Sequence, residues 1–424
     1  MSYDDAIEFL RSLQLFGAKP GLERALRLAE RAGRPHERVR FIHVAGTNGK
    51  GSTCAMLEAI YRAARLRVGL YTSPHLVSFR ERIQINREFI SEQDVIRLTA
   101  MLQEWTREFP EENHPTFFEV VTIMALCYFA EQNCDLVILE TGLGGRLDAT
   151  NIVTPLASVI TNVQFDHEKW LGSTIEEIAR EKAGIIKPRV PVITGADDPS
   201  ARNIIAETAA AKEAPLHSVG KGDAEKLSGK VNLRGAHQIV NAALAVKTVE
   251  VLSDQIPVGA EAIRTGLKTV QWPARLQVVS RGQQTIVLDG AHNPAGAEAL
   301  AAALRSEFGD QPLSLIIGLL QDKNWESVCG TLARRATKIV TTPVSSHRTA
   351  SAEKLAAACA GANPSATVVA TDRVATALAS VESDALVVIT GSLYLVGEAM
   401  ELLGLGTASG ERALNEWSGT GSSL

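Results

Sequence analysis

The sequence predicts an α/β protein with two domains, a mostly parallel sheet domain followed by a smaller Rossmann-like α/β domain. Short apolar runs alternate with longer segments of helical period, which is typical of parallel sheets covered by helices. The alternation occurs twice, before and after a proline-containing break at residues 271–275. A chain of 424 residues is long enough for both domains.

The first domain is predicted to comprise residues 1–272. Its first strand, 41–45, ends in a glycine-rich turn, and a helix follows over 52–65. Further apolar runs predict a long helix over 116–131 and strands at 68–71, 136–140, 157–161 and 190–194.

A connector is predicted over 273–284 and the second domain over 285–405. Its strands are predicted at 285–289, 313–319, 338–342, 366–370 and 385–390, with alanine-rich helices between them. The segment 406–424 is rich in Gly, Ser and Thr and lacks periodicity, which predicts a mobile tail.

Composition excludes several classes of function. With 43 Lys+Arg against 48 Asp+Glu, the net charge is −5, so no general basic field favours nucleic acid or an anionic membrane. No apolar stretch approaches the length of a membrane helix, and the acidic N-terminus is unlike a signal peptide. The five cysteines form no Cys-x-x-Cys pair and are expected to be reduced. A cytoplasmic protein with small-molecule partners is predicted.

A glycine-rich loop between the first strand and its helix predicts a nucleotide site. Small residues there let backbone N–H groups surround phosphate oxygens at a helix N-terminus, and a lysine adds a charge for the β- and γ-phosphates. The spacing departs from the common Gly-x4-Gly-Lys-[Ser/Thr] pattern, and a turn without ligand is the alternative. The first domain is therefore predicted to be a P-loop-containing ATPase domain that binds ATP through Gly46, Thr47, Asn48, Gly49, Lys50, Gly51 and Ser52.

Seven motifs distributed along the chain resemble those of the folylpolyglutamate synthases and dihydrofolate synthases of the Mur ligase superfamily. The resemblance extends from about Tyr3 to about Leu403. The motifs are residues 44–52, 73–76, 117–119, 140–151, 165–167, 181–185 and 289–294.

The resemblance implies an ATP-dependent ligase that works as a monomer. In such enzymes ATP phosphorylates a carboxylate, and the amino group of L-glutamate attacks the acyl phosphate. The acceptors implied are 7,8-dihydropteroate and the γ-carboxylate of reduced folates. Alternatives are a folylpolyglutamate synthase only, a cell-wall Mur-type amino-acid ligase, and, in a different class, a P-loop switch that hydrolyses nucleotide without ligation.

Carboxylate and imidazole groups in the first domain are candidate Mg²⁺ ligands. Glu119 interrupts an apolar helical stretch, although a carboxylate at the helix start is the alternative, and His167 follows a strand at the edge where α/β ligands collect. The resemblance implies that Ser73 and Glu119 hold one Mg²⁺ and that His167 belongs to a second site. Lys182 lies near a helix C-terminus, where a cation favours the dipole; the resemblance instead implies that it is carbamylated.

In the second domain, Asp289 and His292 follow a predicted strand. By resemblance, Asp289 and Arg275 contact the nucleotide, whereas His292 and Ser392 lie near glutamate or the acyl phosphate. A helix N-cap explains Ser392 equally well. Lys50, Lys182, Asp289 and His292 are accordingly the predicted catalytic residues.

Two weaker assignments complete the predicted site. Asn241, early in an alanine-rich helix, matches a nucleotide-contacting Asn of the resembling family. Gly21, Leu22 and Glu23 resemble its pterin-side loop, although a capped amphipathic helix explains them as well.

Overall fold

Two mostly parallel sheets organise the protein, as the sequence predicts. The computed structural model describes residues 1–17, 19–407 and 410–416. The strands of the first sheet are β1 (Phe41–Ala45), β2 (Val68–Tyr71), β3 (Ile83–Ile85), β4 (Glu88–Phe89), β5 (Leu136–Glu140), β6 (Ala157–Ile160), β7 (Val192–Thr194) and β8 (Leu216–Ser218). Those of the second sheet are β9 (Gln277–Arg281), β10 (Gln284–Leu288), β11 (Leu313–Ile317), β12 (Ala336–Thr341), β13 (Thr367–Ala370) and β14 (Leu386–Thr390).

The first sheet places β1 at its centre. Its strand order is β4-β3-β2-β5-β1-β6-β7-β8, and only the β2–β3 and β3–β4 pairs are antiparallel among the described strands. All five residues of β1 and all five of β5 are buried, which explains why both strands are continuous apolar runs in the sequence. The loops after β1, β5 and β6 therefore meet at one edge of the sheet.

Helices cover both faces of the first sheet. The longest apolar one begins after Thr116, whose hydroxyl accepts from the Glu119 amide at 3.3 Å while the Glu119 carboxylate accepts from the Thr116 amide at 2.7 Å. This capping box fixes the helix start where the sequence predicts it. The helices are α1 (Tyr3–Ser12), α2 (Glu23–Arg31), α3 (Lys50–Ala63), α4 (Glu92–Thr106), α5 (Phe117–Glu131), α6 (Glu168–Leu171), α7 (Ile175–Ala183), α8 (Pro199–Ala211), α9 (Lys221–Glu225), α10 (Ala236–Val251) and α11 (Ala260–Thr269).

The second sheet has the order β13-β12-β11-β14-β10-β9, with only the β9–β10 pair antiparallel among the described strands. Strand β9 lies inside the predicted connector 273–284, so the second sheet begins before residue 285. Its polar, half-exposed edge position leaves no apolar run to reveal it. The helices are α12 (Pro294–Phe308), α13 (Trp325–Leu332), α14 (Ala352–Ala362), α15 (Val374–Ser380) and α16 (Leu393–Leu402).

The prediction that residues 406–424 form a mobile tail is wrong for residues 411–415. Glu411–Asn415 forms a 3₁₀ helix that returns to the first domain, where Leu414 is 1% exposed within the apolar core. One buried leucine and several buried hydrogen bonds order a segment whose composition alone suggests disorder. Residues 408, 409 and 417–424 of the predicted tail lie outside the described residues.

Two further observations concern the chain as a whole. The five cysteines are buried and unbridged, as predicted. In the described part of the chain, each helix is too short or too polar to span a bilayer.

Candidate functional site

The glycine-rich loop connects β1 to α3, which begins at Lys50. The Lys50 ammonium donates to the carbonyl oxygens of Gly46 at 3.0 Å and Thr47 at 3.2 Å, so it folds back over its own loop. The Thr47 amide donates to the Asn162 carbonyl at 3.1 Å, which ties the loop to the segment after β6. The predicted loop residues are thus brought together at a helix N-terminus, an arrangement suited to phosphate.

Two glycines of the loop are required by its geometry. Gly46 has φ of +151° and Gly49 has φ of +82°, both in the region that disfavours other residues. A Cβ at Gly46 would collide with the Thr161 side chain, and one at Gly49 would collide with the amide of Asn241. The loop therefore passes directly against its neighbours.

Asn241 on α10 thereby lies beside the glycine-rich loop, as the sequence predicts for a nucleotide contact. Its side chain is 7% exposed and donates to Gln238 Oε1 at 3.0 Å. One turn earlier lies His237, whose pKa is lowered by burial and by the charge of Arg275, against an opposing effect of Asp289. His237, which the sequence analysis missed, therefore belongs to the same group of residues.

Asp289 organises the start of the second domain. Its carboxylate accepts from the Leu276 amide at 2.8 Å and from the Ala291 amide at 2.9 Å. Arg275 donates to the Ala274 carbonyl at 2.9 Å and contacts Gly290, where a Cβ would lie 2.7 Å from its guanidinium. Asp289 and Arg275 therefore lie together next to α10, and in this structure Asp289 holds two backbone turns in place.

A buried carboxylate, Asp166, joins the two domains. It accepts from Lys323 Nζ at 2.5 Å and from Asn293 Nδ2 at 3.1 Å, and it lies 3.4 Å from His292 Nε2. These three partners all come from the second domain. Burial disfavours the ionised form of Asp166, but the hydrogen bond from His292 and the charges of its neighbours outweigh it and hold the pKa well below its usual range.

Asn48 of the glycine-rich loop contacts the same cluster. Its Nδ2 donates to Asn293 Oδ1 at 3.2 Å, and Asn293 Nδ2 donates to Asn48 Oδ1 at 3.1 Å. The backbone amide of Asn48 donates to Asn162 Oδ1 at 2.8 Å. The loop that is suited to phosphate is therefore hydrogen-bonded directly to the second domain.

Glu119, the predicted metal ligand, is engaged elsewhere. Besides capping α5, its carboxylate forms a buried ion pair with Arg24 of α2, at 3.0 Å between Arg24 Nη2 and Glu119 Oε1. The side chains of Arg24 and Glu119 are only 10% and 4% exposed. This geometry favours the alternative that Glu119 is a carboxylate of the helix start.

A different carboxylate, Glu140, accompanies Ser73. The Ser73 amide donates to Glu140 Oε2 at 3.0 Å, at the carboxyl end of β5. Burial raises the pKa of Glu140, and the charge of Lys50 opposes this rise. Glu140 was not among the site residues predicted from the sequence, although it is the first residue of a recognised motif and the last of a buried strand. In the described part of the chain no three or more His, Cys, Asp and Glu side chains form a ready-made metal cage.

His167 and Lys182 lie near the interdomain cluster, which we define as Asp166, His292, Asn293 and Lys323. His167 has φ of +53° and places Nε2 3.3 Å from Lys323 Nζ; burial, with the charge of Lys323, lowers its pKa to about 3. Lys182 on α7 is 2% exposed, and burial, with the charge of Lys50, lowers its pKa to about 7. A large fraction of Lys182 is therefore neutral near pH 7.

A cavity of about 420 Å³ lies between the two domains and is lined by residues of both. Gly21 lines it, whereas Leu22 is the N-cap residue of α2 and Glu23 is exposed in its first turn. Ser392 lines the cavity and also accepts from the Tyr394 amide at 3.1 Å, so it is an N-cap at the cavity wall. Other lining residues with polar or aromatic side chains include Ser73, Arg82, Phe117, Phe118, Glu119, His167, His292, Lys323, Arg348 and Glu416.

Arg82 was also missed by the sequence analysis. It is 3% exposed, donates to His75 Nδ1 at 2.8 Å and lies over the Phe117 ring at 5.3 Å. Burial lowers its pKa. Its sequence context, a charged loop, gives no signal of burial, because the contacts come from distant segments.

The comparisons with known proteins agree with this architecture. Residues 44–253 match the Mur ligase middle domain, and residues 274–393 match the glutamate ligase domain of Mur ligases. The chain is 36% identical to the dihydrofolate synthase/folylpolyglutamate synthase of Bacillus subtilis, over 95% of this chain and 99% of the relative.

Two solved structures are similar over almost the whole chain. The folylpolyglutamate synthase of Thermotoga maritima is 37% identical with a TM-score of 0.83, covering 96% of this chain and 98% of the other. FolC of Escherichia coli in complex with DHPP and ADP is 31% identical with a TM-score of 0.84, at the same coverage. Family membership therefore rests on sequence and structure together.

Proposed function

The chain belongs to the dihydrofolate synthase/folylpolyglutamate synthase family of Mur-type ligases, and we propose that it joins L-glutamate to dihydropteroate and to reduced folates at the expense of ATP. The observation that carries the proposal is the interdomain cluster at Asp166. It holds His292 and Lys323 of the glutamate ligase domain against Asp166, in the loop that follows β6 of the nucleotide domain. The chain is an ATP-dependent ligase, and dihydropteroate and reduced folates are its proposed acceptors.

The glycine-rich loop is the proposed phosphate site. Backbone N–H groups at the start of α3 and the Lys50 ammonium neutralise the triphosphate, which is the main requirement of phosphoryl transfer. Lys50 now lies on the Gly46 and Thr47 carbonyls and has to turn toward the phosphates when ATP binds. Asn241, Arg275 and Asp289, on one side of the loop, are the proposed contacts for the rest of the nucleotide.

Ligation then proceeds in two balanced steps. A carboxylate oxygen of the acceptor attacks the γ-phosphorus, which forms an acyl phosphate and releases ADP. The amino group of L-glutamate attacks the acyl carbon, phosphate leaves with the former carboxylate oxygen, and the amine loses a proton. His292, positioned by Asp166, and Ser392 face the cavity in which this second step would occur. Substrates that fill this cavity would keep out the water that hydrolyses an acyl phosphate.

The residues fit a role for Mg²⁺ at Ser73 and Glu140. Mg²⁺ uses few protein ligands and several waters or phosphate oxygens, so one hydroxyl and one buried carboxylate beside the loop satisfy its chemistry. We accordingly assign the first site to Ser73 and Glu140 and not to Glu119, and we keep His167 for a second site. When bound, Mg²⁺ would neutralise phosphate charge during transfer.

Lys182 is proposed to be carbamylated. Its buried amine has a pKa of about 7, and the neutral amine is the form that adds CO2. Carbamylation would convert the neutral amine into an anion that supports the second metal site. We also propose that the enzyme works in the cytoplasm as a monomer with small-molecule partners.

The proposal is tested by ADP release with Mg²⁺-ATP and L-glutamate, offering dihydropteroate and tetrahydrofolate in separate reactions with product masses measured. Turnover with both acceptors is the expected result. Turnover with tetrahydrofolate only would reduce the function to folylpolyglutamate synthesis, and turnover with neither would refute the proposed acceptors. ADP release that is independent of glutamate would instead indicate a nucleotide-driven switch.

A further inference from the structure

The C-terminal strap, defined as residues 410–416, connects the two domains across the cavity. Glu411 accepts from Ser78 Oγ at 3.0 Å and from the Phe79 amide at 2.5 Å, which anchors the strap to the first domain. Arg412 pairs with Glu401 and Glu398 of α16 in the second domain. The strap is therefore attached on both sides of the cleft.

The last described part of the strap is held especially closely. Gln14 Nε2 donates to the carbonyl oxygens of Ala413 at 2.9 Å and Glu416 at 2.6 Å. Asn415 accepts from Arg82 Nη2 at 2.6 Å through its side chain and from the Tyr394 hydroxyl at 2.7 Å through its carbonyl. These bonds fix the backbone next to Glu416 and direct its side chain.

The Glu416 carboxylate lies against the side chains of His347 and Arg348 of the second domain. Its Oε2 is 3.0 Å from His347 Nδ1 and 3.7 Å from Arg348 Nε. The side chains of Arg348 and Glu416 are 14% and 15% exposed, and both residues line the interdomain cavity together with His292 and Ser392. Arg348 also pairs with Asp322 at 3.3 Å.

We propose that Arg348, with His347, is the subsite for a glutamyl carboxylate of the substrates, and that Glu416 occupies this subsite as an internal substitute. The inference rests on the proposed function, because only a glutamate ligase requires such a subsite. A glutamate side chain carries the same carboxylate as the substrate. Arg348 is mostly buried, lines the cavity assigned to ligation and already pairs with the carboxylate of Glu416. Its charge and N–H donors would bind a substrate carboxylate in the same way.

Two substrates carry this chemistry, the incoming L-glutamate and the terminal glutamate of a folate acceptor. Dihydropteroate has no glutamyl tail, so it separates the two sources. With dihydropteroate as acceptor, a change at the subsite can act only through L-glutamate. With tetrahydrofolate, it can act through either substrate, and the two KM values identify which.

The experiment compares wild type with Arg348→Ala, Arg348→Lys and Glu416→Gln, measuring kcat and KM for L-glutamate, ATP and each acceptor. Arg348→Ala should raise the KM for L-glutamate or tetrahydrofolate about tenfold or more, and Arg348→Lys should restore part of this loss. Glu416→Gln should lower the same KM severalfold, because the internal competitor loses its charge. The KM for ATP should be unchanged in each case.

Arg281→Gln is the matched control, since it removes an exposed arginine of the second domain that pairs with Glu382 and does not line the cavity, and it should leave the glutamate KM unchanged. Unchanged KM values in Arg348→Ala would overturn the inference. A rise in KM for Glu416→Gln would also overturn it, by showing that Glu416 supports the wall and does not compete. If wild type shows no glutamate-dependent turnover, the proposed function fails and this inference falls with it; normal wild-type turnover confines any failure to the subsite.

Discussion

The side-chain amides of Asn48 and Asn293 donate to each other across the domain boundary, at 3.2 and 3.1 Å. Asn48 belongs to the glycine-rich loop, and Asn293 follows directly after His292. The pair therefore couples the position of the proposed phosphate site to that of the glutamate ligase domain. A second donation, from Asn293 to Asp166 at 3.1 Å, reinforces this connection.

Breaking the Asn48–Asn293 pair should impair ligation more than folding. Asn293→Ser keeps a side-chain oxygen for capping α12, where Asn293 now accepts from Gly296 at 2.8 Å, but it cannot reach Asn48. We expect kcat to fall about tenfold or more, because small errors in the placement of reacting groups are costly. Asp198→Ser, an N-cap change at α8, whose residues do not line the interdomain cavity, is the control. A wild-type kcat in Asn293→Ser would exclude the coupling.

Removal of the Lys50 ammonium should abolish phosphoryl transfer. Lys50→Ala is expected to lower kcat by roughly 10²-fold or more, the scale seen when one preorganised charge-stabilising group is lost. Lys247→Ala, which removes a surface lysine paired with Glu250 on α10, should have almost no effect. Steady-state ADP release measures both variants. Near-normal turnover of Lys50→Ala would remove Lys50 from the catalytic residues.

Neutralising Glu140 should change the Mg²⁺ dependence of the reaction, whereas neutralising Glu119 should lower the stability of the fold. Glu140→Gln should raise the Mg²⁺ concentration needed for half-maximal rate about tenfold, with little loss of stability. Glu119→Gln breaks a buried ion pair with Arg24, which is expected to cost about 3–5 kcal/mol of unfolding free energy. Mg²⁺ titrations and denaturant unfolding of both variants separate the two roles. If only Glu119→Gln changes the Mg²⁺ concentration needed for half-maximal rate, Glu119 would again be assigned as the Mg²⁺ ligand.

Carbamylation of Lys182 should increase as the pH rises through about 7, because only the neutral amine adds CO2. The folded protein binds this proton more weakly than the unfolded chain, so the unmodified lysine destabilises the fold increasingly as pH falls from about 10.4 toward 7. Carbon-13 NMR with labelled bicarbonate at pH 6 and pH 8 measures the carbamate directly, and Lys182→Met should lack its resonance. Absence of the signal at both pH values would contradict the modification, whereas equal signals would contradict its dependence on the neutral amine.

The central strands were predictable because burial on both faces makes them continuous apolar runs. This holds for β1, β2 and β5, whose predicted bounds equal the observed ones. The short strands β3, β4, β8 and β9 were missed, since each has three residues or fewer or exposed polar positions at a sheet edge.

The glycine-rich loop was predictable for a local reason, as its chemistry lies in seven consecutive residues. The interdomain cluster at Asp166 could not be predicted from the sequence. Asp166 and Lys323 are separated by 157 residues, and neither has a local pattern that signals the other. Glu119 shows a different difficulty, because a helix capping box and a ligand motif place a carboxylate in the same sequence context. Only the neighbours, Arg24 for Glu119 and Ser73 for Glu140, distinguish the two.

The most direct test of ATP-dependent glutamate ligation follows an oxygen atom. Dihydropteroate labelled with ¹⁸O in its carboxylate is incubated with the protein, Mg²⁺-ATP and L-glutamate, and the masses of the folate product and of inorganic phosphate are measured. The acyl-phosphate mechanism predicts dihydrofolate together with one ¹⁸O in each phosphate released. Unlabelled phosphate, or phosphate formed without a glutamyl product, would contradict it.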